Sequence, residues 1–207
     1  MTLFVLIYFI IYGISTIQTG VDSGIEGIDG KMILVEANSE YLDEPPYGDI
    51  HLLNPSNDNK YRITSDSFYD SSPTYRKINN SIYFESKRDE DSHNLLLSSK
   101  SDLYKVDLNS MKITLAREDV SFALEFEDSE ILNPVLSKKN NSIMSFFEKK
   151  GSHQTLVICN IDTQQIIKTL NFNISTRLRI LNYGETFLHV FDPSKKYGAY
   201  NVFINLK

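Results

Sequence analysis

One cysteine, Cys159, serves all 207 residues, so no internal disulfide can form and stability must come from packing. It lies in the apolar run L-V-I-C-N-I (156–161), which marks a small buried hydrophobe rather than a nucleophile. Signatures of chemistry are missing as well. There is no G-x-S-x-G elbow, no H-E-x-x-H helix, no glycine-rich phosphate loop and no C-x-x-C pair, so neither an enzyme nor a bound cofactor is expected. Positive charge is sparse: 21 Lys and Arg face 27 Asp and Glu, for a net charge of -6 with no basic cluster. Nucleic-acid binding depends on neutralising phosphates, so that class is excluded. The four histidines, His51, His93, His153 and His189, are scattered. His93 and His153 fall in equivalent loops of neighbouring repeats, but exposed loop histidines are commoner than shared sites, and no metal is expected. No amphipathic helix is evident after the N-terminus.

What is present is β-forming. Hydrophobic residues make up 41% of the chain, with 12 Tyr and 12 Phe, a balance that suits sheets and not a disordered chain. The length fits one domain with a sizeable core. The first twenty residues stand apart: they carry no charge and are apolar almost without break from Leu3 to Ile17. A helix over that run reaches roughly 22 Å, short of a hydrocarbon core of about 30 Å, which favours a signal peptide over a membrane anchor. Residues 1–20 are therefore expected as a signal peptide or anchor able to attach the chain to a membrane, and residues 21–207 as the folded domain. Either fate puts the body outside the cytoplasm, in a periplasmic or extracellular setting.

The domain repeats. Pro73-Thr-Tyr-Arg-Lys-Ile-Asn-Asn-Ser-Ile82 recurs as Pro134-Val-Leu-Ser-Lys-Lys-Asn-Asn-Ser-Ile143, identical at six of ten positions with an offset of 61. Weaker echoes precede Ile33 and Phe187, so that Ile33, Ile82, Ile143 and Phe187 anchor four periods at spacings of 49, 61 and 44 residues. Each anchored turn leads into an alternating strand and then a second one. Three periods add a third after turns rich in Asn, Asp, Ser and Pro, and P-T-Y-R-K, P-V-L-S-K and R-L-R-I-L supply the innermost strand. Four antiparallel strands per period is the pattern of a propeller blade, giving an all-β, β-propeller-like domain of about four blades after an N-terminal hydrophobic helix. Four is the lower limit of blade number, and the last period ends without an outer strand. An incomplete or irregular ring is thus favoured over a closed one, with 25–28 or a second chain as candidates to cover the edge.

The run from Ile63 to Asp89 resembles the repeat of the TolB-like β-propellers, a WD-like repeat family. Ile63-Thr64 stand for the end of the outer strand, Asp70 and Pro73 for the link, and Ile82, Phe84, Ser86, Arg88 and Asp89 for the second strand and its exit. The family's Trp-Ser-Pro-Asp-Gly is replaced by Tyr75-Arg-Lys-Ile-Asn-Asn80, so the likeness is clear over one period and faint over three. The resemblance implies the fold; propellers of this kind have many partners, and fold alone fixes no function.

Strand alternation sends the links between blades and the second-to-third strand loops to one face. That face would carry Tyr41, Tyr47, Phe68, Tyr69, Asp70, Arg88, Asp89 and His93, aromatic and charged residues of the kind protein or polysaccharide contacts use. The opposite face has the turns of Asn79 and Asn140, which with Asn173 begin N-x-S sequons. The expectation is a non-enzymatic binding or scaffold propeller. The alternative is the propeller portion of a hydrolase of the prolyl oligopeptidase type, without its catalytic domain.

Overall fold

The computed structural model describes residues 17–22, 31–38, 48–54, 57, 59–66, 68–88, 100–137, 139–173, 179–183, 187–191 and 199–203. They form four antiparallel sheets in chain order, each folding up and down. The first contains β1 (Ile17–Asp22), β2 (Lys31–Asn38), β3 (Gly48–Leu53) and β4 (Lys60–Arg62). The second contains β5 (Asp70–Arg76), β6 (Ser81–Ser86), β7 (Asp102–Asp107) and β8 (Lys112–Leu115). The third is β9 (Glu130–Leu136), β10 (Ile143–Lys150), β11 (His153–Asn160) and β12 (Gln165–Asn173). The fourth has three described strands, β13 (Arg179–Tyr183), β14 (Phe187–Phe191) and β15 (Ala199–Phe203). The chain is all-β and propeller-like, and the only helical pieces among the described residues are three 3-10 turns. Residues 1–16, including most of the expected N-terminal helix, lie outside the described residues, as do 25–28; β1 begins at Ile17, inside the stretch expected as leader.

Local chemistry sets the hairpins. Asp107 accepts the backbone N–H groups of Asn109 (2.7 Å) and Ser110 (3.1 Å), and Asn160 accepts those of Asp162 (3.0 Å) and Thr163 (3.1 Å). Each of these Asx turns closes on a left-handed residue, Met111 (φ 55°) or Gln164 (φ 53°), the geometry a short bulged hairpin requires.

The sheets pack face to face through three apolar clusters. Ile50, Leu52, Ile63, Tyr75, Ile82, Phe84 and Val106 fill the junction of the first and second sheets. Tyr83, Leu103, Ile131, Met144, Phe146 and Val157 fill the next, and Leu132, Ile143, Phe147, Ile158, Ile180 and Val190 the third. The middle sheets are covered on both sides, so every residue of β5 and β6 is buried rather than every other one. Strands β5, β9 and β13 lie innermost and touch in succession; among the described residues no packing of that extent joins the fourth sheet to the first.

Pro73 and Pro134 occupy equivalent places. Ser72-Pro73 bulge opposite Phe84 and Asn133-Pro134 bulge opposite Phe146, and Ser72 (φ 53°) and Asn133 (φ 51°) are both left-handed. The isoleucines that align in sequence are not equivalent. Tyr75 pairs with Ile82 but its counterpart Leu136 pairs with Met144, because the β9–β10 turn is one residue longer. Ile82 therefore faces the first sheet, whereas Ile143 faces the fourth, as the two-residue period of a strand demands.

Candidate functional site

The face carrying the links between sheets and the β6–β7 and β10–β11 loops is built around two clusters. In the first, the link from β4 to β5 is held by its own short bonds. The Asp66 carboxylate accepts the Phe68 N–H (3.2 Å), the Thr64 hydroxyl oxygen accepts the Ile50 N–H (3.0 Å), and the Lys87 N–H reaches back to the Tyr69 carbonyl (3.3 Å).

Arg88, just after the end of β6, extends its side chain to this link, and its Nη2 lies 2.7 Å from Asp70 Oδ2 and 2.8 Å from Asp66 Oδ2. Its Nε donates to the Ser86 hydroxyl at 3.0 Å, and its carbonyl accepts the Tyr104 hydroxyl at 2.5 Å. The rings of Phe68, Phe84 and Tyr104 surround the guanidinium with centroids 5.4, 5.5 and 5.4 Å away, a cation–π cage. Asp70 is wholly buried, and burial pushes its carboxyl up to about 6 even though Arg88 and the Ser86 and Thr64 hydroxyls draw it down.

The second cluster lies at the next junction. Arg117 donates to Asp102 (3.0 Å) and to the carbonyls of Ser129 (2.9 Å) and Glu127, closing the β8–β9 link on itself. The buried Glu148 carboxylate accepts from the Phe126 N–H (2.7 Å), the Glu125 N–H (3.0 Å) and the Ser129 hydroxyl (2.8 Å). Phe126 is thereby presented between Lys150, whose Nζ sits 4.7 Å from the ring centroid, and the His153 ring, which lies nearly perpendicular to it with the centroids 6.3 Å apart.

Of the residues the sequence pointed to, Phe68, Asp70 and Arg88 are brought together, and Tyr69 lies beside them with Lys87 Nζ 5.9 Å from its ring. Tyr41, Tyr47, Asp89 and His93 fall outside the described residues. His153, its proposed loop counterpart, lies 4.0 Å from Glu125, and no group of three His, Cys, Asp or Glu among the described residues is placed to hold a metal. Asp70 and Arg88 are committed to each other, which leaves Phe68 and Tyr69 as the half-exposed parts of the cluster. Phe126, Lys150, Arg117 and Glu148 escaped sequence reasoning. Phe126 and Lys150 are far apart in the chain, with no short-range spacing to mark them.

Two further titratable side chains, Cys159 and His51, are buried away from these clusters. Cys159 is buried and its thiol is pushed up to about 12, as the apolar run around it implied. Burial, with the nearby charges of Lys60 and Arg62, pushes the His51 imidazole down to about 3. On the opposite face the Asn140 turn is exposed, while the Asn79 turn is half-buried with its Oδ1 lacking a partner.

No protein-family model matches the chain, and no curated protein does. Among solved structures it is similar to TolB from Acinetobacter baumannii, at 12% identity and a TM-score of 0.47, over 96% of this chain and 56% of that one. It is also similar to an oligogalacturonate lyase in complex with manganese (11% identity, TM-score 0.45, 85% and 51%). A third is the β-propeller domain of the Trilobed protease from Pyrococcus furiosus (13%, 0.42, 86% and 56%). The chain thus spans about half the length of these structures. The run from Ile63 to Asp89 resembles the repeat of the TolB-like family, and the propeller-like architecture itself rests on the strand order and register above.

Proposed function

We propose that this chain is a non-enzymatic binding or scaffold propeller that works outside the cytoplasm and contacts a protein through its long-loop face. The supporting observation is a set of half-buried rings on that face, each held by a cation: Phe68 by Arg88, Tyr69 by Lys87 and Phe126 by Lys150. Rings fixed in this way offer contact area at little entropic cost, the usual requirement of a binding hot spot. The leader-like residues 1–20 support the extracytoplasmic setting. A polysaccharide is the other ligand class such rings suit, and no observation among the described residues favours the truncated-hydrolase reading.

The test compares wild-type protein with a Phe68→Ala, Tyr69→Ala, Phe126→Ala triple variant in capture from the source organism and on a glycan array, with thermal unfolding as the folding control. A protein partner lost in the folded triple variant is expected. A partner retained by that variant, binding to glycans alone, or a hydrolytic activity in the purified chain would overturn the reading.

A further inference from the structure

The Arg88 cage joins several chain segments. Its guanidinium holds Asp66 and Phe68 in the link, Asp70 at the start of β5 and Ser86 at the end of β6, while Tyr104 of β7 holds its carbonyl. The two carboxylates on the one Nη2 are unlike. Asp70 has a side chain with no exposure at all, and Asp66 is 33% exposed. An ion pair reaching solvent contributes little, so of the two carboxylates the buried Asp70 is the stronger hold on Arg88.

We propose that Arg88 is a proton-operated latch: on mild acidification a proton displaces its guanidinium from Asp70, and Phe68 and the Asp66 turn leave their neutral-pH position.

The chemistry is a competition for one carboxylate. Asp70 either stays ionised against the guanidinium or takes a proton, for which its buried Oδ1, without a hydrogen-bond partner, is open, and a neutral Asp70 no longer offsets burial of the guanidinium charge. Arg88 is among the forces lowering the Asp70 pKa, so Asp70 binds a proton still more readily once Arg88 has left. Proton uptake and departure of Arg88 therefore favour each other, and the guanidinium stays charged throughout. With Arg88 in place the exchange lies near pH 6.

The surrounding charges keep the effect local. Asp66, from the link, is the other carboxylate acting on Asp70, and the Thr64 and Ser86 hydroxyls favour its ionised form. Across the junction, Asp49 of β3 senses Asp66 but is itself bound to Arg62 at 2.6 Å. Lys87 stands over Tyr69, outside the cage. The latch goes beyond the binding role proposed above and needs no partner to be observed.

The chain contains no tryptophan, so Phe68→Trp places a single reporter ring against Arg88 in the full-length protein. Its emission is expected to titrate between about pH 7.5 and 5 with a midpoint near 6. Adding Asp70→Asn, which cannot ionise, should hold the emission at its acid value throughout, while Asp66→Asn should leave the transition in place. A second readout avoids altering the cage. The Arg88 Nε–H cross-peak of wild-type protein, assigned by its absence in Arg88→Lys and protected by Ser86 at neutral pH, should lose that protection over the same range. A transition that survives Asp70→Asn, or a cross-peak and emission that stay constant across the range, overturns the latch.

Discussion

Asn133 donates its side-chain amide to the Ser72 hydroxyl at 2.8 Å, joining two left-handed residues that sit 61 positions apart and fill the same place in neighbouring sheets. The Asn133 backbone N–H donates to Glu85 at 2.8 Å, its Oδ1 accepts the Ile180 N–H, and the Leu136 N–H donates to the Thr74 hydroxyl at 3.0 Å. One residue thus ties the second, third and fourth sheets at their inner edge.

Asn133→Val removes the side-chain bonds and places a β-branched residue at positive φ. A loss of about 3 kcal/mol is expected, from unsatisfied buried groups and backbone strain together. Asn133→Gly keeps the backbone conformation and should lose less. Urea unfolding of the two variants measures the difference, and equal losses would remove the conformational part of the account.

Glu148 satisfies two backbone N–H groups and a hydroxyl of the β8–β9 link with one buried carboxylate. Glu148→Ala should cost about 2–4 kcal/mol. The link between Arg117 and Ser129 should also become the first site of limited proteolysis, which mass spectrometry of the early fragments would detect.

Cys159 is buried and its thiol is pushed up to about 12, so it should not react with an aromatic disulfide reagent at neutral pH while the protein is folded. Labelling is expected only at the rate of unfolding, and should accelerate in Asn133→Val in step with its loss of stability.

Two buried groups give stability opposite dependences on pH. His51 falls from an ordinary 6.5 to about 3 on folding, so the unfolded chain binds the extra proton and stability drops as pH decreases from 6.5. Asp70 rises from 3.8 to about 6, so the folded chain binds the proton first and stability increases as pH falls from 6 toward 4. Each group contributes a slope of at most about 1.4 kcal/mol per pH unit, and the two oppose one another over that window. His51→Gln should therefore gain stability on mild acidification and Asp70→Asn should lose it more steeply than wild type. Thermal unfolding across the range would show the divergence.

Much of the strand pattern was legible because hairpins obey local rules. The N-N-S turn leads into β6 at Ser81 as read, and N-S-M and D-T-Q-Q close the two bulged hairpins. The innermost strand was placed by its proline, but its burial could not be read. D-S-S-P-T-Y-R is polar by composition and buried throughout, because Ser72 and Thr74 find partners on β9 rather than in water. Arg88 and Asp70 carry no local sign that they meet, since the bond between them depends on the return path from β5 to the end of β6. For the same reason, among the described residues read as that face, Asp70 and Arg88 turn inward while Phe68 and Tyr69 stay at the rim.

The longer turn before β10 has a practical consequence for anyone exchanging modules between this protein and another. Grafts cut at the two prolines would keep each donor strand turned toward the neighbour it evolved beside. Grafts cut by matching Ile82 to Ile143 would rotate the transplanted segment by half a pleat and send its oily flank to the wrong side, however good the alignment looked.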